Sequence, residues 1–258
     1  MSFLFFRNSV FSSFLGMYSD TSLSRRHIRG TVEKLKIDPA EFLEPVESFR
    51  TFNDFFIRRL KPERRPFDPS PKTLASPADG RILVYPQVLN NTLIPVKGKH
   101  FSIAALLQQD AADFNNCSLM IVRLCPADYH RFHFPCDAKI ISTKKYPGTY
   151  HSVNPIALAA NINVFCHNKR ILTLLHNDFF GKIAMIEIGA FGVGGIVQTY
   201  EKNNVSKCQE KGYFKFGGST IILIFQKDRV LFSPDLVENS VTGYETFVRM
   251  GETVAVMA

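Results

Sequence analysis

Three short segments of this sequence contain side chains that together could activate a hydroxyl group. In chain order they supply a carboxylate at Asp79, two imidazoles at His130 and His133, and a hydroxyl at Ser219. A serine hydroxyl is a weak nucleophile at its own pKa, so it needs a base within hydrogen-bond reach and a carboxylate that orients the base. These residue types therefore predict nucleophilic chemistry at Ser219.

The residues before Ser219 point to an unusual target for this chemistry. Ser219 lacks the Gly-x-Ser-x-Gly pattern of hydrolases and directly follows two glycines, Gly217 and Gly218. Because glycines have no Cβ atom, the backbone can bend until the serine oxygen approaches the carbonyl of Gly218. Attack there is an intramolecular N-to-O acyl shift, which proximity favours. The pattern thus indicates a reaction of the chain with itself.

Each segment also has a plainer structural interpretation. Asp79 followed by glycine is common turn chemistry, and the Gly-Gly-Ser-Thr stretch could be a glycine turn that enters a buried strand. The histidine pair has no Cys or Glu at supporting spacing, so no metal site is expected. The glycine-rich stretch Gly189–Gly195 leads into the strand-like run Ile196–Tyr200 and not into a helix, which argues against a dinucleotide or phosphate loop.

Short β-rich runs bounded by turn residues begin after Pro66 and would position these groups. The predicted strands are Arg81–Tyr85, Leu119–Leu124, Ile162–Cys166, Arg170–Leu175, Ile183–Ile188 and Thr220–Gln226, with a hairpin tip at Phe165–Arg170. Their spacings are too short for repeated βαβ units, which argues against a Rossmann fold. We predict an α+β fold, with a helical N-terminal segment in front of a predominantly β-sheet core at residues 66–258.

Residues 1–65 form the predicted helical segment, which is rich in Phe and basic. It contains ten of the 24 Phe and carries twelve Lys and Arg against eight Asp and Glu. Ile28, Val32 and Leu35 have helical spacing, and Asp38–Glu41 has the pattern of a capped helix start. A third helix is predicted from Thr51 onward, with Phe52, Phe55, Phe56 and Leu60 on one face. The other face and the exit of this last helix are basic, through Arg58, Arg59, Lys61, Arg64 and Arg65. Two interpretations stay open: a helix packed by its Phe stripe with solvated charges, or a surface that docks on anionic lipid headgroups.

Composition narrows the class of protein without choosing a partner. The 258 residues are 45% hydrophobic and 21% charged, which excludes a disordered or collagen-like chain. The formal net charge of +8 implies an anionic partner, which could be nucleic acid, a membrane surface or an acidic substrate. No apolar run approaches the roughly 20 residues that span a bilayer.

Six segments, in order, resemble the phosphatidylserine decarboxylase family. The resemblance runs from about Ser24 to the C-terminus. The matching residues are Thr51–Phe56 with Arg58 and Leu60–Pro62, Ser76–Gly80, Asp128–His133, Pro147–Gly148 followed by Asn154–Pro155, Glu187–Ala190, and Phe214–Thr220. One departure is Gly217, because many bacterial and mitochondrial members have Leu there. Since the bond between Gly218 and Ser219 is retained, no catalytic group is lost.

The resemblance implies a self-processing enzyme with a pyruvoyl prosthetic group. It implies that Ser219 is the cleavage serine, His133 its base, Asp79 the carboxylate that orients His133, and His130 the group that assists decarboxylation. Cleavage between Gly218 and Ser219 would leave a β chain, residues 1–218, and an α chain, residues 219–258, whose pyruvoyl group derives from Ser219. The pyruvoyl group would form a Schiff base with phosphatidylserine and release CO₂ and phosphatidylethanolamine.

The resemblance also sets expectations about partners and location. It implies a homodimer that binds phosphatidylserine in an anionic membrane surface. We expect peripheral association with the cytoplasmic face of the cell membrane, with residues 1–65 making the contact. No nucleic acid partner is expected. Two alternatives remain: a pyruvoyl decarboxylase for a soluble primary amine, and a non-enzymatic basic domain that binds an anionic polymer or lipid. Chain cleavage at Ser219 would separate the enzymes from the binding domain.

Overall fold

A computed structural model describes residues 15–89, 94–96, 99–108, 111–149, 164–190, 195–217 and 219–258. Helical turns dominate up to residue 65, and antiparallel strands dominate thereafter. The predicted α+β class is therefore confirmed. The predicted cleavage residue Gly218 and residues 1–14 of the Phe-rich N-terminus lie outside the described residues.

The N-terminal segment consists of short helices joined by turns. Residues 15–19 are helical, and they are followed by α1 (Ile28–Leu35), α2 (Phe52–Phe56) and 3-10 turns at Ser22–His27, Pro39–Glu41, Val46–Ser48 and Pro62–Arg64. The predicted start of α2 is confirmed, because the Thr51 side chain accepts from the Asp54 N–H and the Asp54 carboxylate accepts from the Thr51 N–H. The helix ends at Phe56, so Leu60 lies outside it and forms an isolated β-bridge with Phe42.

An eight-stranded antiparallel sheet is the centre of the core. In spatial order its strands are β11 (Asn204–Val205), β7 (Ala138–Tyr146), β8 (Arg170–Asn177), β9 (Gly181–Gly189), β13 (Ser219–Phe225), β5 (Cys117–Leu124), β2 (Gly80–Val88) and β15 (Thr246–Val248). β13 lies between β9 and β5 and is buried along its whole length. Such a strand needs apolar residues on both faces, as the run Ile221–Phe225 provides.

Smaller sheets and helices cover the two faces of the large sheet. One small sheet has the order β10 (Ile196–Gln198), β12 (Glu210–Phe214) and β6 (Arg131–His133); another has the order β1 (Thr73–Ala75), β16 (Thr253–Met257) and β14 (Val230–Phe232); β3 (Ile94–Val96) pairs with β4 (Lys99–Phe101). The remaining helices are α3 (Ile103–Leu107), a 3-10 turn at Ala112–Phe114, α4 (Val164–His167) and α5 (Pro234–Val241). The small sheet that contains β6 brings the histidines toward β13.

One predicted strand is wrong. Residues 164–166 of the predicted strand Ile162–Cys166 belong to helix α4, which also replaces the predicted hairpin tip, while residues 162 and 163 lie outside the described part. The buried Arg170 guanidinium donates to the carbonyl of Cys166 at 2.6 Å and to that of Leu106 at 3.0 Å. Phe165 packs in the same apolar cluster as Leu106. These tertiary contacts outweigh the β propensity of a short apolar run.

Candidate active site

Ser219 is the first residue of the central strand β13. In the antiparallel register it lies opposite Leu124 of β5 and Gly189 of β9, so its side chain shares a face of the sheet with that of Leu124. The residue is 0% exposed, and its Oγ has no hydrogen-bond partner among the described residues. A buried hydroxyl without a partner costs free energy, which marks Ser219 as a group that needs an explanation.

The face of the sheet that contains Ser219 is covered by the segment that carries both histidines. Leu124 and Ile221 belong to one buried cluster with Phe132 and Phe214. Phe132 lies between His130 and His133 in sequence, and the Phe214 N–H donates to the carbonyl of His130 at 2.9 Å. The fold thus brings the predicted histidine and serine segments to the same side of the large sheet.

His130 is a fully buried, neutral imidazole. Its Nδ1 lies 2.9 Å from the backbone oxygen of Asp128, and because a carbonyl only accepts, Nδ1 carries the proton and Nε2 has the lone pair. Nε2 has no partner within the described ranges. The ring packs on that of Phe56, with centroids 3.9 Å apart. Burial lowers the pKa of His130 to about 3, and Arg58 adds to this effect, while the bond to Asp128 opposes it.

His133 is also buried and neutral. Its backbone N–H donates to the carbonyl of Pro77 at 2.8 Å, which links this histidine to the segment that contains Asp79. The ring stacks on that of Tyr129 with centroids 5.9 Å apart and planes inclined by 29°, and its Nδ1 is without a hydrogen bond to any residue that the structure describes. Burial lowers the pKa of His133 to about 4, although the charges of Glu210 and Asp79 partly oppose this shift.

Asp79 is buried, but its bonds go to a residue that the sequence had not suggested. Its Oδ1 accepts from Arg65 Nε at 2.8 Å and from the Met250 N–H at 2.8 Å, and its Oδ2 accepts from Arg65 Nη2 at 2.5 Å. None of the bonds formed by its carboxylate in the described chain goes to His133. A carboxylate oxygen can accept two bonds, so Oδ2 keeps the capacity for one more.

Two arginines of the predicted basic face point inward. The two open interpretations, solvated charges and docking on lipid headgroups, both need exposed side chains, and both are wrong for Arg58 and Arg65, which are 4% and 8% exposed. Arg58 Nη2 donates to the carbonyls of Ala127 at 3.0 Å and Asp128 at 3.3 Å, just before His130. The guanidinium also lies 5.2 Å from each of the Phe42 and Phe55 ring centroids. The Phe-rich segment therefore helps to build the site, and the Phe-Phe-x-Arg pattern was its signal.

Sequence reasoning also missed a buried ion pair beside the site. Lys211 Nζ donates to both oxygens of Glu187 at 2.9 Å and to Gln198 Oε1 at 2.9 Å, and both charged side chains are 0% exposed. Glu187 lies opposite Ile221 on β13, two residues from Ser219. An isolated Glu within an apolar strand run is the signal that could have revealed it.

Several cavities flank the described part of the N-terminal segment. One of about 190 Å³ is lined by Asp79, Arg65, Arg58, Tyr129 and others. Another, about 500 Å³, lies between residues 22–29 and 46–47, and no predicted site residue lines it. In the part of the chain that the structure covers, no helix has the length and apolar character needed to cross a membrane.

A buried hydroxyl and two buried neutral imidazoles thus lie on one side of the large sheet, inside the core of the protein. Residues 52–256 match the family model for phosphatidylserine decarboxylase. Phosphatidylserine decarboxylase proenzymes from Ruminiclostridium cellulolyticum and Clostridium perfringens are each 43% identical to this chain over 254 residues, covering 97% of it and 85% and 86% of their own lengths. That of Chlamydia muridarum is 44% identical over 251 residues, covering 96% of the chain and 83% of the relative.

The chain belongs to the phosphatidylserine decarboxylase family, a family of carboxy-lyases. The resemblance drawn from the sequence is thereby confirmed.

Proposed function

We propose that the chain converts phosphatidylserine to phosphatidylethanolamine and CO₂ with a pyruvoyl group that it makes by cleaving its own Gly218–Ser219 bond. The observation that carries the proposal is the Oγ of Ser219, which is fully buried and unbonded among the described residues. A buried hydroxyl without a bond costs free energy. The hydroxyls of Thr173 and Thr220 are unbonded in the described chain as well, but only Ser219 directly follows the glycine pair Gly217–Gly218, so a reaction with the preceding carbonyl accounts for its free hydroxyl.

The cleavage needs a base, and His133 is the proposed one. The imidazole takes the Oγ proton, Oγ attacks the carbonyl carbon of Gly218, the C–N bond breaks, and the amine nitrogen of Ser219 receives a proton; the product is an ester. Loss of the Ser219 Cα proton then breaks the Cβ–Oγ bond and releases the carboxylate of Gly218. Water adds to the resulting dehydroalanine, ammonia leaves, and the pyruvoyl group remains on residue 219.

Asp79 is proposed to orient His133. Arg65 and the Met250 N–H hold its carboxylate, and Oδ2 retains one lone pair for the Nδ1–H of His133. A bond there would put the lone pair of His133 on Nε2, the tautomer that a base needs. The nearby charge of Asp79 would also stabilise the imidazolium that forms during the transfer.

The pyruvoyl group supplies an electrophilic carbonyl that acts as an electron sink for decarboxylation, and the dry, apolar surroundings of Ser219 suit such a group. His130 is proposed to donate the proton that replaces CO₂. Its ring is neutral in this structure because burial lowers its pKa to about 3. An anionic headgroup beside the ring would raise that pKa and favour the protonated form.

We further propose that the enzyme binds the membrane peripherally through its N-terminal segment. Met17 and Leu23 are 62% and 69% exposed, and the exposed Arg25, Arg26 and Arg29 lie close to them in sequence. Exposed apolar side chains beside cations suit an anionic bilayer surface. Vesicles with phosphatidylserine should bind the protein, whereas neutral vesicles should not. The homodimer stays a prediction. Light scattering coupled to size-exclusion chromatography tests it by measuring the molar mass in solution.

Intact mass spectrometry tests self-cleavage. The wild type should yield two chains whose summed mass exceeds that of the precursor by about 1 Da, since water is gained and ammonia lost, whereas plain hydrolysis adds about 18 Da. Ser219→Ala should remain one chain. Ser118→Ala is the matched control, because Ser118 is buried on the adjacent strand β5 with its Oγ bonded to the Pro86 carbonyl. A cleaved Ser219→Ala protein, or an 18 Da gain, would overturn the mechanism.

The nature of the substrate is tested separately. Processed enzyme should release CO₂ from phosphatidylserine vesicles and not from free serine. Turnover of the soluble amine alone would favour the alternative decarboxylase, while an uncleaved, inactive protein that still binds vesicles would favour the non-enzymatic lipid-binding domain.

A further inference from the structure

The three residues before Gly218 are attached to the N-terminal segment. The backbone N–H of Phe216 donates to Asn53 Oδ1 at 2.8 Å, across 163 positions of sequence. Asn53 is in α2 and is 2% exposed. The residue that supplies this bond is therefore placed by helix packing and not by the strands on either side of the cleavage segment.

Aromatic packing strengthens the same attachment. The Phe216 ring meets the rings of Phe52 and Phe56 edge to face, with centroids 5.0 and 5.2 Å apart. Phe56 also packs on His130. One short helix thus contacts both the cleavage segment and a proposed catalytic histidine, and aromatic pairs of this geometry add to the stability that their burial provides.

The side chain of Asn53 is in turn held by Asp20. Its Nδ2 donates to Asp20 Oδ1 at 2.7 Å, and Asp20 Oδ2 lies 3.3 Å from Lys215 Nζ. Three polar contacts thus connect Lys215 to Asp20, Asp20 to Asn53, and Asn53 to Phe216, so two neighbouring residues before the cleavage site are attached to the same pair of side chains. Ser24 Oγ accepts from the Phe52 N–H at 2.8 Å and secures the start of α2.

The cleavage segment needs such an anchor because it lies between two strands and belongs to neither. β12 ends at Phe214 and β13 begins at Ser219, and between them Gly217 has a φ of +142°, a conformation that favours glycine. Because glycine allows many backbone conformations, the reaction is fast only if other contacts fix the carbonyl that is attacked. A displacement of about 1 Å can lower the rate about 100-fold.

We infer that Asn53 is a positioning residue for self-cleavage: its bond to the Phe216 N–H fixes the chain two residues before the Gly218–Ser219 bond. This inference rests on the proposed function and adds a role for the N-terminal segment. The segment is then a processing element of the precursor as well as a surface layer, because it fixes the chain just before the bond that breaks.

Time-resolved mass spectrometry of freshly translated precursor tests the role of Asn53. Asn53→Ala should slow cleavage by about tenfold or more. Asn53→Asp keeps an acceptor for Phe216 but sets a second carboxylate against Asp20, and should slow cleavage by about threefold to tenfold. The double variant with Asp20→Asn restores a donor and acceptor with the direction reversed, and should return the rate to within about threefold of the wild type.

The control variant is Asn177→Ala, in the turn between β8 and β9. Asn177 is also buried, accepts from the Phe179 and Phe180 N–H groups and donates to the Asp137 carbonyl. It should lose stability similarly while its folded precursor cleaves at the wild-type rate. If the cleavage rate followed melting temperature across all variants, or if Asn53→Ala cleaved at the wild-type rate, the inference would be overturned.

The outcomes also separate this inference from the proposed function. A wild type that never cleaves between residues 218 and 219 defeats the proposed function itself. A wild type and Asn177→Ala that both cleave normally, with an unaffected Asn53→Ala, defeat only the role of Asn53. Should Asn53→Ala fail to fold, the rescue of Asn53→Asp by Asp20→Asn decides, because failure of rescue contradicts the inference.

Discussion

Two clusters of buried polar side chains each combine a residue of the large sheet with residues of the small sheet or of the segment before it, and they differ in how their atoms are bonded. At Glu187 and Lys211, both carboxylate oxygens and the ammonium group are bonded to each other and to Gln198. Ser219 lies two positions from Ile221, the residue of β13 opposite Glu187, and its Oγ has no bond within the described chain. His130 Nε2 and His133 Nδ1 have no bond there either. Apart from the partly exposed Gln198, these side chains are nearly or wholly inaccessible to solvent.

The difference supports a structural role for the first cluster and is consistent with the chemical role proposed for the second. Burial raises the pKa of Glu187 and lowers that of Lys211, and the charge of each partner opposes the shift of the other. Such a pair is stable only while it is complete, because either charge alone would be buried without compensation. A buried hydroxyl or imidazole nitrogen without a bond costs about 1–3 kcal/mol, and the proposed reaction would account for that cost at Ser219, His130 and His133.

The largest expected effect is a split between the two histidines. His133→Ala should slow self-cleavage by about 10²- to 10⁴-fold, because the base is gone. His130→Ala should cleave within about threefold of the wild type, yet its decarboxylation rate per cleaved chain should fall by at least about 100-fold. Mass spectrometry and CO₂ release measure the two steps. The exposed His176 provides an alanine control, and equal effects of both substitutions on both steps would contradict the assigned roles.

The second effect concerns the bonded cluster. Lys211→Met should lower the free energy of unfolding by about 3–5 kcal/mol, because Glu187 is left buried without its partner. Urea unfolding of cleavage-deficient protein measures this change. Lys182→Met breaks an exposed ion pair with Asp113 and should cost about 1 kcal/mol or less. Equal losses in the two variants would show that burial does not distinguish the pairs.

A smaller effect of opposite sign is expected at the unbonded cluster. Ser219→Ala removes a buried hydroxyl that has no partner, and it should leave stability unchanged or raise it by about 1 kcal/mol. The comparison is with Ser118→Ala, which deletes a bonded hydroxyl and should lower stability by about the same amount. A strong loss of stability in Ser219→Ala would show that the hydroxyl has a structural role.

The smallest expected effect is that of pH on self-cleavage. Since burial lowers the pKa of His133 to about 4, the base is already neutral between pH 8 and about 5, and the cleavage rate of the folded precursor should vary by less than about twofold there. A rate that fell with a midpoint near 6.5 would indicate an ordinary, solvated histidine. Stability should be complete above about pH 6.5 and should fall toward pH 4, because the unfolded chain then binds protons that the buried histidines do not.

Local patterns predicted much of the fold. The apolar runs 119–124, 183–188 and 221–225 became strands β5, β9 and β13, and the Thr51 capping box starts α2 as expected. Helix α4 escaped prediction because the contacts of Arg170 outweigh local propensity. The pairing of Glu187 with Lys211 also escaped, because the two residues are 24 positions apart and meet only when β12 packs over β9.

For the site, the sequence determined which residue types are available and in what order. Asp79, His130, His133 and Ser219 were all identified from it, as was the family. Only the tertiary structure decided that Arg65 binds Asp79, that Arg58 supports the His130 loop, and that Asn53 holds Phe216. The physical reason is that a chain pattern records the local preferences of each segment, whereas the bonding and solvation of a side chain depend on residues that only folding brings next to it.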